Sequence, residues 1–168
     1  YSCVDSQDTA RSAARKELAE QADFVKVMAS GSALHRHGIP VQPIITEPEL
    51  SAIVDAAEMK GSYVAAHAHG DGAIRLCVDT GVRTIEHASY ISDETLSELL
   101  KRDGCWLIPT ISAMYQNPET TSEEYMYLVK KLEDMLEKSS VCLKRAYEAG
   151  AKLGFGTDSC PGMDQYEQ

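Results

Sequence analysis

The chain has 168 residues, 43% hydrophobic and 25% charged, with 16 Lys and Arg against 26 Asp and Glu and a formal net charge of −10. That is enough for one domain with its own core and an ordinary globular composition. The sign of the charge argues against a nucleic-acid partner, whose phosphates need clustered cations. No apolar run approaches the ~20 residues of a membrane span, so no membrane partner is expected. Five cysteines, Cys3, Cys77, Cys105, Cys142 and Cys160, form no C-x-x-C pair. An odd count without that spacing reads as free thiols in a reducing, cytoplasmic compartment. The start of the chain shows neither a cationic nor an apolar leader segment.

In chain order, Asp8 to Gln21 is rich in Ala, Arg, Lys, Glu and Leu and reads as a helix. Asp23 to Ala29 is a short run of strand formers. A loop with Gly31, Gly38, Pro40 and Pro43 follows. Thr46-Glu47-Pro48-Glu49 opens the next helix with a capping-box spacing, and Gly61 stops it. Ser62 to Ala66 is a strand, Asp71 to Thr80 a helix ended by Gly81, and Val82 to Glu86 a strand. Ser92 to Arg102 is a helix, and Cys105 to Ile108 a strand ending in Pro109-Thr110. A long helix from about Ser122 to Ala149 and a last strand, Ala151 to Phe155, complete the series. Strict strand–helix alternation implies a parallel α/β sheet. The strands read as apolar throughout, as expected when both sheet faces are covered. No linker divides residues 1–168, which read as one domain.

In parallel α/β folds the chemistry collects at the carboxyl ends of the strands. There the chain delivers Lys26, His67, His87 and Asp158. Each has a bland alternative: a half-exposed strand lysine, core or turn histidines, and an Asx turn or helix cap at Asp158. A lysine between valines on a covered strand nevertheless needs a partner. The four together, in this order on successive or near-successive strand ends, point to one site.

With these residues in place, the motifs FVKVMASG, YVAAHAHG, TIEHASYI and AYEAGAKLGFGTDS resemble the metal-dependent amidohydrolase superfamily. The likeness is to its prolidase, imidazolonepropionase-like and ochratoxinase-like branch. The resemblance implies a (β/α)8 barrel of which this chain supplies strands four to eight, so that it is the C-terminal portion of a barrel domain. It implies a dinuclear centre, usually zinc, bridged by a carboxylated Lys26. His67 and His87 would be ligands to one metal, and Asp158 both a ligand and the proton-handling catalytic residue. The nucleophile would be a metal-bound hydroxide acting on amide or peptide C–N bonds of small molecules such as Xaa-Pro dipeptides or N-acyl amino acids. His69 would stand behind the ligands or contact substrate. In the two loops, His35, Arg36 and Tyr115 are candidate substrate contacts, with Arg36 able to grip a carboxylate bidentately, although a solvated loop is the plainer reading.

The family's early His-x-His pair has no counterpart before Lys26, and His35-Arg36-His37 lies in a loop. The expectation is therefore that the isolated chain binds at most one metal tightly and turns over poorly. Its open sheet edges would invite a homo-oligomer or the missing N-terminal half. The alternatives are a non-catalytic assembly module and a mononuclear deaminase of the same superfamily. Lys26 weighs against the deaminase, as does His69 where that class needs a glutamate.

Overall fold

A computed structural model of the chain describes residues 2–32, 40–114 and 123–158, the side chains of 114 and 123–128 excluded. The elements in order are α1 (Gln7–Ala19), β1 (Val25–Met28), α2 (Glu47–Glu58), β2 (Val64–Ala68) and α3 (Asp71–Thr80). They continue with β3 (Thr84–His87), α4 (Asp93–Lys101), β4 (Trp106–Ile108), a 3-10 turn (Ile111–Met114) and α5 (Glu123–Glu148).

The helices begin and end where local chemistry dictates. Ser6 accepts from the Thr9 amide at the start of α1. At the start of α2, Glu49 accepts from both the amide and the hydroxyl of Thr46, at 2.9 and 2.6 Å. Ser92 caps α4 by accepting from the Thr95 amide at 3.1 Å. These contacts satisfy amides that have no partner within the helix. Gly81 takes φ +89 after α3, a left-handed stop that costs glycine little.

The four strands lie in one parallel sheet in sequence order, β1-β2-β3-β4. Lys26 pairs with Ala65, Ala65 with Thr84 and Thr84 with Trp106. One row on, Met28 pairs with His67, His67 with Glu86 and Glu86 with Ile108. The alternate residues, Val25, Val27, Ile85 and Leu107, enter the core with Leu50, Ile53, Ile74, Val78 and Leu99 from the helices. Packed side by side, α1 to α4 form a layer, each touching the next. A fully buried Leu50 or Ile74 contributes about 1.5–3 kcal/mol relative to exposure.

Two expectations need correction. The strands are not apolar and covered on both faces. β2 is buried at every position, as expected, but burial alternates along β1 and β3, and Lys26, Met28 and Trp106 are exposed, so one sheet face is open at its outer strands β1 and β4. The fifth strand is reduced among the described residues to a single parallel bridge between Leu107 and Leu153. It is held by the Leu107 amide on Lys152 O and the Gly154 amide on Leu107 O, both at 2.9 Å. A ladder needs successive bonded pairs, and here only one is made. The cysteines in the described residues, Cys3, Cys77, Cys105 and Cys142, are free, as expected. No helix is long and apolar enough to cross a membrane among the described residues.

Candidate metal centre

The strands run two residues further than the sequence pattern indicates at β2, which ends at Ala68. His67 therefore lies inside the strand on the open face, and His69 arrives just past its end. At β3 the left-handed backbone of His87, φ +72, and of Ala88, φ +46, breaks the alternation. Without it, His87 would follow Ile85 toward the helices. Instead its ring stacks on His69 at 4.5 Å between centroids and 17°, and meets His67 edge-on at 4.5 Å. His67 and His69 are also edge-on, at 4.6 Å.

All three histidines are buried, and a ligand nitrogen from each lies within 4.8 Å of the others. Their outer nitrogens are engaged. His67 Nε2 donates to the Gly31 carbonyl at 3.2 Å, which leaves Nδ1 with the lone pair. His69 Nδ1 lies 2.9 Å from Ser89 Oγ, and His87 Nδ1 2.6 Å from Thr110 Oγ1. The amide of His69 donates to Ser30 Oγ at 3.0 Å.

Burial, with mutual repulsion added, keeps these rings neutral. Desolvation lowers the His67 pKa, with Lys26 lowering it further against the raising effects of Gly31 and Asp158. Burial first, then His67 and Lys131, lower His69 to about 3. Burial first, then His69, His67 and Lys26, lower His87 to about 2. Neutral imidazoles are the form that binds a metal. Three neutral imidazoles in a desolvated site, with ligand nitrogens within 4.8 Å of one another, could hold a divalent ion such as zinc, whose catalytic sites take three protein ligands and keep one position open.

Lys26 and Asp158 lie at the margin of this cluster. The Lys26 side chain, 45% exposed on the open face, is ion-paired with Glu86, which also accepts from Thr84 Oγ1 at 2.7 Å. Asp158, with φ +51 and a side chain 57% exposed, places Oδ2 3.9 Å from His87 Nε2. His35, Arg36, His37 and Tyr115 lie outside the described residues. Sequence reasoning assigned no role to Ser89, Glu86 or Thr110. Glu86 carried a signal: a carboxylate between Ile85 and His87 on a strand needs a partner as much as Lys26 does.

A cleft of about 970 Å3 opens over the histidines, walled there by Met28, Ala113, Leu132 and Met135, and runs past Lys26 along β1 toward α1. That is the volume of a small-molecule site.

A parallel α/β sheet thus carries, at the carboxyl ends of its strands, a cluster of three buried histidines that could hold a metal ion. The chain belongs to the amidohydrolase family, which it matches over residues 1–167. It is 32% identical over 165 residues to the ochratoxinase of Aspergillus niger, covering 95% of this chain and 34% of that protein. The crystal structure of A. niger ochratoxinase superposes with a TM-score of 0.82 at 28% identity, covering 95% of this chain and 36% of that one. A Xaa-Pro dipeptidase with bound methionine in its active site gives 0.81 at 28%, covering 93% and 39%. A prolidase complexed with N-methylphosphonate-L-proline gives 0.78 at 31%, covering 92% and 38%. The chain thus spans about a third of the length of the ochratoxinase it matches.

Proposed function

We propose that the chain forms the metal-binding part of a hydrolase that cleaves amide or peptide C–N bonds, on N-acyl amino acids or Xaa-Pro dipeptides. The observation that carries this reading is the set of three buried histidines clustered at the strand ends beneath a cleft, with ligand nitrogens within 4.8 Å of one another. The family match and the ochratoxinase and prolidase relatives support it. His67, His69 and His87 would hold a divalent ion, zinc in this reading. A bound ion of this kind polarises the scissile carbonyl and acidifies an attacking water. Asp158, partly solvated beside His87, would accept a proton from the attacking water at a carboxylate oxygen and return it to the leaving nitrogen. Lys26, released from Glu86 and carboxylated by carbon dioxide with loss of its protons to solvent, would be a ligand to a second ion. The cleft residues bind the acyl portion and exclude water from it.

In this reading residues 1–168 are the C-terminal portion of an eight-stranded barrel, strands four to eight. The open sheet face is where the remaining strands or a second copy sit. The chain alone then holds at most one ion tightly and hydrolyses poorly. The exposed Lys26, Met28 and Trp106 favour a second reading, an assembly module, which predicts no turnover in the longer protein either.

Elemental analysis and zinc titration test the first reading. The expected result is one zinc per chain after incubation with zinc and bicarbonate, and a loss of affinity of about 10–100-fold or more for each of His67→Ala, His69→Ala and His87→Ala. Absence of zinc from the wild-type chain, together with no amide hydrolysis by the longer protein, would refute it.

A further inference from the structure

We propose that Thr110 is a positioning residue for the histidine cluster. Its hydroxyl receives the Nδ1 hydrogen of His87 and so fixes the tautomer whose Nε2 lone pair faces the ion. The inference rests on the metal-site reading above and adds to it a residue that the ligand set does not include.

Three observations carry it. Thr110 sits at φ +46, and a β-branched residue in left-handed backbone is an outlier that persists only where its surroundings demand it. Its hydroxyl is buried and 2.6 Å from His87 Nδ1. The only described backbone task at this position, the Thr110 carbonyl accepting from the Ala113 amide at 3.0 Å to begin the 3-10 turn, needs no side chain. Glycine would perform it without strain. The strained threonine is therefore explained by what its hydroxyl touches.

Ser89 repeats the arrangement on the neighbouring ring. It is fully buried, with Oγ 2.9 Å from His69 Nδ1. With a hydroxyl on each Nδ1, Nε2 is the ring nitrogen left for a ligand in both residues, and that of His87 lies 3.9 Å from Asp158 Oδ2. A histidine that donates its second nitrogen's hydrogen to a fixed acceptor is held in one tautomer and one ring orientation, and loss of such an acceptor weakens metal binding about 10–100-fold.

The test uses two readouts on the same variants. Long-range 1H–15N NMR of the metal-free protein reads the His87 tautomer directly. The expected result is Nδ1–H in the wild type and in Thr110→Ser, and a shift toward Nε2–H in Thr110→Gly. Zinc competition against a chromophoric chelator, with the visible spectrum of bound cobalt, reads the site. Thr110→Gly is expected to bind about 10–100-fold more weakly with an altered cobalt spectrum and no loss of metal-free melting temperature. Thr110→Ser should restore wild-type values. The proposal is overturned if wild-type His87 carries its hydrogen on Nε2, or if Thr110→Gly leaves tautomer and affinity unchanged. Tautomers that behave as expected in a protein that takes up no zinc would instead remove the metal reading and leave the role of Thr110 standing.

Discussion

His67, His69 and His87 differ from exposed histidines in one respect that can be measured without any metal. Buried and crowded, they stay neutral in the folded chain, with His69 lowered to about 3 and His87 to about 2 from an ordinary 6.5. In the unfolded chain the same rings take up protons near 6.5. The stability they support is therefore complete above about pH 6.5 and is lost as the pH falls from there toward the folded values. His69 and His87 each contribute a slope of about 1.4 kcal/mol per pH unit in that window, and the lowered His67 acts in the same direction. Urea denaturation of the metal-free chain should show the midpoint dropping steeply between pH 6.5 and 4.5. A midpoint unchanged from pH 7 to pH 5 would mean that the rings are solvated. At this scale part of the cluster was legible: His67 and His87 were singled out because strand ends are where α/β folds place chemistry, whereas His69, expected behind them, stacks on His87, and Asp158 lies at the margin. The partners of these residues were not legible. Which hydroxyl meets which ring nitrogen depends on the left-handed turns at His87, Ala88 and Thr110, and only glycine, not alanine or threonine, signals such turns in a sequence.

Among the elements, the turn from β2 into α3 does the most to hold the site. Gly70, the residue before α3, is crossed so closely by the 40–44 segment that an added Cβ would lie 2.1 Å from the Val41 carbonyl oxygen. The same segment is tied down by the Gly31 amide on Gln42 O and the Ile44 amide on Ala29 O, at 3.2 and 3.0 Å. Backbone on backbone cannot give way as a flexible side chain can. Gly70→Ala is expected to cost about 1–3 kcal/mol in chemical denaturation, and to weaken zinc binding by displacing His69. A variant as stable as the wild type would show that the 40–44 segment moves freely. The helices were well placed by the sequence because caps and glycine stops are local signals; α3 was expected at 71–80 and found there. Strand ends were less well placed. The reading stopped β2 at Ala66, whereas the structure carries it through His67 and Ala68, because pairing with β3 decides the length and no local signal records it.

Taken whole, the described sheet has one face covered by helices and one open at its outer strands. Helices cover Val25, Val27, Ile85 and Leu107, while Lys26, Met28 and Trp106 look outward from the other side of the same strands. Alternation and the order of elements were enough to read a parallel α/β sheet. They did not show that the second face is open at β1 and β4, because an apolar strand reads the same whether or not its second face is packed. The last strand shows the physical limit. Leu153 makes one bridge to Leu107, and Phe155 is 94% exposed, so strand-like composition alone did not secure a ladder.

Trp106 is the only tryptophan in the chain, and it stands on the open face, 39% exposed, in the row that begins at Lys26. The protein thus carries its own optical reporter of assembly. Excited at the indole band, the chain alone should emit at the long wavelengths of a wetted side chain and be quenched readily by iodide or acrylamide. Whatever closes over the sheet, whether further strands or a second copy, would dry that ring, move its emission to shorter wavelength and shield it. A titration followed by colour alone would then give the affinity of the chain for its cover, with no label attached and no turnover required. An emission maximum and quenching constant that stay the same in the longer protein would place the cover elsewhere.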